Sequence, residues 1–330
     1  MPEAIAFTAQ FKGVRWQTAL GMAACLSIAT AFPAIAQDQD NPHNPLSSDG
    51  VSVAEIMGPF NAEPGNEGDP GKTTGTQGES IPTESAEDFF DLLELEPAVA
   101  DPIEDEIGIR SIFRPDTRKR NKTTTYPERT SVLVTYNNKR CSGAMISKDT
   151  VLTAGHCVHG GGSAGSWSQN VRVYPGRDGP SSPFGSCRAR SLHSVTGWVR
   201  NRDERYDYGA IKLDCTVGER TGWLGFFWQT ASLVGLPTII DGYPGDKNLT
   251  QWRSTDQLRA NDTRQVFYRN DTVPGNSGSA VYTTASSVCR GPCALGVHSM
   301  GVHGGGVHAS NNHGVRITKA VFENLKRWTQ

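Results

Sequence analysis

From Tyr126 onward the chain is broken into short apolar or alternating runs, over 130–136, 141–146, 151–153, 171–174, 208–213, 232–240, 265–268, 280–282 and 294–298. Gly, Pro, Asn and Asp punctuate them, as in the Asn137-Asn138-Lys139 turn between the first two. Runs this short cannot form helices that bury a face, whereas strands of this length, joined by tight turns, build a barrel or sandwich. The texture therefore predicts an all-β domain. Only the end reads differently: from Thr318, apolar Val321, Phe322, Leu325 and Trp328 recur at helical spacing on a polar background. That predicts a docked C-terminal helix with Trp328 in the core rather than in a binding site.

The 330 residues before and within this domain are electrically segregated, and the whole-chain charge of −2 hides it. Residues 37–110 hold 18 Asp/Glu against Lys72 and Arg110, a net of −16, while residues 111–330 carry +13. Residues 1–36 resemble an export signal: Lys12 and Arg15, then an apolar run over 18–32, then Ala34-Ile35-Ala36 before Gln37. The run is short for a membrane span, and Met22 is a poor start for a lipoprotein box at Cys25. Export to the periplasm or the medium is the expectation, with no membrane attachment after signal removal. The acidic stretch is poor in aromatics and rich in Asn-Pro, Pro-Gly and Asp-Pro pairs, so it reads as largely disordered, apart from a short amphipathic helix over 86–95. Placed between a signal and a basic domain, it reads as a pro-segment whose charge complements that domain.

Three residues supply a chemistry that none supplies alone. His156 follows a strand in Thr153-Ala-Gly-His-Cys157, Asp207 opens one in Asp207-Tyr-Gly-Ala-Ile211, and Ser277 sits between glycines in Gly275-Asn-Ser-Gly-Ser279. A serine hydroxyl is a poor nucleophile at neutral pH. It needs a histidine to take its proton and a buried carboxylate to hold that histidine in the right tautomer. The glycines allow a sharp turn in which the amides of Gly275 and Ser277 converge on a forming oxyanion. After signal removal six cysteines remain (Cys141, Cys157, Cys187, Cys215, Cys289, Cys293), an even number that suits a disulfide framework in an exported chain. Zinc on Cys289 and Cys293 lacks a second half-set of ligands at a matching spacing. His298, His303, His308 and His313 recur every five residues, a period that fits no single helix or strand face, so no metal or other cofactor is expected.

Together these motifs resemble the chymotrypsin-fold serine proteases and, within them, the bacterial glutamyl endopeptidases. Cys141-Ser-Gly, the Thr153–Cys157 motif, the Asp207 strand, Thr221-Gly-Trp-Leu-Gly225, Gly242-Tyr-Pro-Gly-Asp-Lys247, Asp271-Thr272, the Ser277 turn, Gly296-Val-His298 and Gly314-Val-Arg-Ile-Thr318 carry it, over about residues 111–330. The resemblance implies two six-stranded antiparallel β-barrels with the active site between them and a C-terminal helix. It implies a secreted, monomeric endopeptidase made as a zymogen, with catalytic His156, Asp207 and Ser277 and an oxyanion hole at Gly275 and Ser277. It implies a Cys141–Cys157 bridge, with Cys187–Cys215 and Cys289–Cys293 as the remaining pairs.

It also implies a pocket in which Thr272 and His298 contact a substrate glutamate, so polypeptides with acidic residues are the expected substrates, cut after Glu and secondarily Asp. Both groups can donate hydrogen bonds to a carboxylate, and a +13 domain attracts acidic chains. Asp271 keeps a trypsin-like preference for Lys or Arg in play, and a non-catalytic binding homologue of the same fold is the other alternative. No grouping of aromatic and basic residues suggests nucleic acid. Asn276 stands where digestive-type relatives carry an aspartate that pairs with the new amino terminus, so activation here requires another route. Processing is expected near Arg110–Ser111, with Glu104 and Glu106 as earlier self-cleavage points.

Overall fold

The computed structural model describes residues 41–51, 61–71, 91–97 and 111–330. The expected export signal, the first half of the 86–95 helix, Glu104, Glu106 and Arg110 lie outside the described residues; Asp91, Leu92 and Leu93 are helical.

Six antiparallel strands close the first barrel: β1 (Ser131–Tyr136), β2 (Lys139–Met145), β3 (Thr150–Thr153), β4 (Arg172–Pro175), β5 (Cys187–Val195) and β6 (Gly209–Leu213). Their order is β5-β6-β3-β2-β1-β4, and a β4–β5 pairing completes the ring. A closed ring leaves no unpaired edge along its circumference. Every residue of β1 is buried because its two faces meet different neighbours. Val132 and Val134 fill the barrel, while Leu133 packs outward against Tyr174, Tyr243 and Leu249.

The second barrel comprises β7 (Pro237–Gly242), β8 (Trp252–Asn261), β9 (Gln265–Tyr268), β10 (Ala280–Thr283), β11 (Cys293–Met300) and β12 (Asn312–Arg316). The order β10-β7-β8-β9-β12-β11 is closed by pairing of β10 with β11. Tyr243 and Leu249, just beyond β7, reach the outer face of β1 and join the two barrels. The two six-stranded barrels are as expected. Strands β5, β8 and β12 lie outside the apolar runs for a shared reason: Arg188 and Arg190 interrupt the first, β8 offers mainly polar side chains, and Val315 is the lone apolar side chain of β12. Ladder pairing on both sides, to β7 and β9, holds β8 where its side chains give little reason for a strand.

The C-terminal helix spans Lys319–Trp328; the Thr318 hydroxyl accepts from the Val321 N–H, and Val321, Phe322, Leu325 and Trp328 are buried. Trp328 stacks on His193 with ring centroids 5.7 Å apart. Among the described residues the disulfides are Cys141–Cys157, Cys187–Cys215 and Cys289–Cys293, the pairs the resemblance implies. No helix among the described residues is long and apolar enough to cross a membrane.

The described stretches of the acidic segment lie against the barrels, although the composition of the segment reads as largely disordered. Pro45–Ser47 pairs with β5, Ala62–Glu63 with the strand Gly225–Phe227, and Glu96–Pro97 runs parallel to β2. Leu92 and Leu93 pack onto the cluster around Leu133 and Tyr243. Composition averages over the whole segment, whereas docking needs only a few apolar anchors opposite backbone groups left free at strand ends.

Candidate active site

Strand β3 ends at Thr153, and a single helical turn, Gly155–Val158, carries His156. Cys157 on that turn is bonded to Cys141 of β2, which pins the turn to the barrel. Asp207 follows the short turn Glu204–Tyr206, immediately before β6, and is fully buried. It takes two bonds from one residue: the His156 N–H reaches Oδ1 at 2.8 Å, and Nδ1 lies 2.7 Å from Oδ2. This double contact fixes both the position of the ring and the tautomer with the proton on Nδ1. Gly155 makes room for it, since a Cβ there would stand 2.9 Å from Asp207 Oδ1 and 2.8 Å from the Trp198 ring. The Nε2 atom of His156 is buried with no hydrogen bond among the described residues, so its lone pair stays available.

Ser277 lies on the turn before β10, and that turn is fastened to the first barrel by Ser142. The Ser142 N–H donates to the Ser277 carbonyl at 2.8 Å, and its hydroxyl donates to the Gly275 carbonyl at 2.8 Å. The same hydroxyl accepts from the Tyr243 N–H at 2.8 Å. Gly278 has φ +88°, and a Cβ there would fall 2.2 Å from both the Ser142 carbonyl and Thr153 Oγ1. Only glycine fits. The Asn276 side chain turns inward and accepts from the Val273 N–H at 3.2 Å, bracing the loop. Its neighbours Gly275 and Ser277 are the two residues whose amides were expected to face the oxyanion.

Strand β11 brings His298 alongside: the Gly278 N–H donates to the His298 carbonyl at 2.7 Å. Burial foremost, with the neighbouring imidazoles of His313 and His156, pushes His298 down to about 3, so it is neutral at neutral pH. Its Nδ1 is 2.8 Å from the Tyr268 hydroxyl. Burial holds the Tyr268 phenol well above its usual range, so the phenol keeps its proton and donates it to Nδ1. That leaves the Nε2–H as the donor His298 can offer.

Thr272 is likewise prepared. Its Oγ1 accepts from Asn312 Nδ2 at 2.9 Å, which orients the hydroxyl proton away from Asn312. The same Asn312 amide also donates to the carbonyls of Asn270 and Ser111, at 2.8 and 3.0 Å. Asp271, next to Thr272, has its carboxylate filled: Phe113 N–H at 2.7 Å, Thr117 N–H at 2.9 Å and the Thr117 hydroxyl at 2.8 Å all donate to it.

Ser142, Tyr268 and Asn312 carry no functional signal of their own in the sequence. Ser142 is visible inside Cys-Ser-Gly and Tyr268 closes a predicted strand, but their partners lie far away along the chain. Cys141 and Cys157 beside His156, and Cys187 and Cys215 beside Asp214, are grouped closely enough for a metal, yet both pairs are oxidised to disulfides and cannot ligate. A third group, Glu204 with His308 and His313, contains no cysteine.

Residues 118–325 match the family model described as Trypsin. A glutamyl endopeptidase of Bacillus licheniformis is 39% identical over 300 residues, spanning 89% of this chain and 90% of the relative. A Bacillus subtilis protein named an extracellular metalloprotease is 35% identical over 227 residues, covering 66% of this chain and 69% of its own. Among solved structures, a Glu endopeptidase in complex with MPD superposes with a TM-score of 0.60 at 28% identity, over 66% of this chain and 99% of that one.

Proposed function

The chain belongs to the trypsin family and is a serine endopeptidase of the glutamyl endopeptidase type; on that premise we propose that it cleaves after Glu through Ser277, His156 and Asp207, and is made as a secreted zymogen. In the proposed reaction, Ser277 Oγ attacks the scissile carbonyl while His156 Nε2 takes its proton. Asp207, held on Nδ1, stabilises the resulting imidazolium, and the amides of Gly275 and Ser277 receive the oxyanion. His156 then returns the proton to the leaving amine. Water repeats the sequence on the acyl-enzyme, which releases the acid and restores Ser277.

The observation that carries the specificity is the engagement of Asp271. With three donors on its carboxylate and 2% of its surface exposed, it has no free oxygen to face a Lys or Arg side chain. The neighbouring donors, the Thr272 hydroxyl and the His298 Nε2–H, suit a carboxylate instead. A neutral imidazole also gives Asp and Glu no full charge to pair with, so geometry must do the selecting. Hydrolysis of a matched peptide panel with Glu, Asp, Gln, Lys or Arg before the cut tests this. Glu is expected to lead, and preference for Lys or Arg would overturn the reading.

Labelling with a serine-directed acylating agent separates this enzyme from a non-catalytic homologue, and from a hydrolase that works through a metal. Modification at Ser277 with loss of activity is expected; activity that survives complete labelling would refute the assignment.

The zymogen reading rests on where Ser111 sits. Its carbonyl accepts from the Thr272 N–H at 3.2 Å and from Asn312, so a cut before Ser111 frees an amino group at the edge of the pocket. Asn276 offers that amine no carboxylate. Amino-terminal sequencing of secreted protein is expected to give Ser111; a start before Glu104 or beyond Tyr126 would exclude this site.

A further inference from the structure

The five-residue histidine repeat fits no regular element, yet the loop after β11 folds it around one carboxylate. Glu204 Oε2 lies 3.2 Å from His303 Nε2 and 3.9 Å from His313 Nε2, and Glu204 Oε1 lies 3.6 Å from His308 Nε2. The donor atoms of Glu204, His308 and His313 all fall within 4.8 Å of one another. The three rings are mutual neighbours, with centroids 4.7 to 5.3 Å apart. Four donors on a tetrahedral zinc at roughly 2.1 Å stand about 3.4 Å from each other. The separations from Glu204 bracket that value.

Three further features point to a ligand rather than to a self-contained ion pair. His313 is fully buried; among the described residues its Nδ1 has no hydrogen-bond partner, and its Nε2 faces Glu204 Oε2 at 3.9 Å, beyond hydrogen-bond distance. A buried imidazole without a close hydrogen bond is costly unless something else binds it. His303 Nδ1 is 3.1 Å from the Gly301 carbonyl, which aims its Nε2 at Glu204 Oε2, 3.2 Å away. That outer bond to a carbonyl is how zinc-binding histidines are oriented. Phe267 supports the remaining two rings, stacked on His313 and edge-on to His308 at centroid distances of 5.6 and 5.0 Å.

We propose that Glu204, His308 and His313, with His303 as fourth donor, form a binding site for zinc(II). Three imidazoles and one carboxylate are all zinc ligands, and a set dominated by imidazole does not suit magnesium or calcium, which take oxygen. The site is structural, because all four positions are filled by protein. It ties the Glu204–Tyr206 turn, which leads into Asp207, to the loop 301–311 that leaves β11 and the His298 strand. Zinc thus fastens the part of the first barrel that carries the orienting carboxylate to the second.

The test is zinc titration of the full chain carrying Ser277→Ala, which prevents self-digestion and makes the readout independent of proteolysis. One equivalent of zinc is expected to bind, raising Tm by about 5 °C or more at saturating metal. Cobalt(II) is expected to replace it with the intense visible bands of a four-coordinate ion. His308→Gln and Glu204→Gln, both on partly exposed side chains, should each weaken binding at least tenfold, while His193→Gln and His156→Ala leave it unchanged. Absence of saturable uptake overturns the proposal, as does uptake unaffected by His308→Gln and Glu204→Gln or abolished by His156→Ala. In those cases the cluster is a histidine–carboxylate hydrogen-bond group only.

Discussion

The two barrels build their halves of the cleft in opposite ways. In the first, His156 and Asp207 each lie within a few residues of a strand end and meet each other directly, with a disulfide next door. In the second, the Ser277 turn and the pocket are held by side chains gathered from separate segments: Ser142 from the other barrel, Tyr268 from β9, Asn312 from β12, and the 113–117 segment on Asp271. One half is local and self-sufficient. The other is a distributed network, so damage to it should spread into specificity and stability while the first half fails all at once.

The sharpest break is Asp207→Asn. It keeps the shape but reverses the hydrogen-bond polarity at His156 Nδ1, and kcat on a Glu peptide should fall about 10⁴-fold with the thermal unfolding transition little changed. Removal of disulfides compares the barrels directly. In the chain-entropy view, losing Cys187–Cys215, which closes 28 residues, costs roughly 3–4 kcal/mol, against about 2 kcal/mol for the four-residue Cys289–Cys293 loop, as read by denaturant midpoints. Equal costs would show that loop entropy is not what these bridges supply.

Acid should weaken the first barrel through His193. Burial foremost, with Lys212 and Arg190 outweighed only in part by Asp49, lowers it to about 4 beneath the C-terminal helix. The unfolded chain takes up this proton at about pH 6.5 and the folded one resists it. Stability is therefore whole above pH 6.5 and falls by about 1.4 kcal/mol per unit towards pH 4. His193→Gln should flatten that slope in pH-dependent melts.

Smaller effects belong to the network. Asn312→Ala leaves the Ser111 and Asn270 carbonyls without this donor and should cost about 1–3 kcal/mol. It should also raise KM for Glu peptides, because Thr272 loses its partner. Tyr268→Phe should lower kcat/KM about tenfold for Glu peptides, and less for Gln peptides, since it frees the tautomer of His298 rather than its place. A uniform loss across both substrates would mean that Tyr268 only packs.

The same asymmetry decides what is legible in the chain. The barrel texture, the capped C-terminal helix and the Thr153–Cys157 motif are short-range patterns, and each lies where the sequence suggests. Strand β8 is hidden because its backbone ladder, not its side chains, keeps it in place. Asn312 and Tyr268 are hidden because a buried amide or phenol declares its role only through partners tens of residues away. The histidine repeat matches no regular period, but a loop gathers residues without one.

The acidic segment and the C-terminal helix touch: Asn324 Nδ2 donates to the His43 carbonyl at 2.8 Å, and Lys326 pairs with Glu63. A chain made from amino to carboxyl end cannot close these contacts until the helix Lys319–Trp328 has been made. The acidic segment must therefore wait for a helix made after both barrels, and assembly of this face follows the point at which all the barrel strands are available to pair.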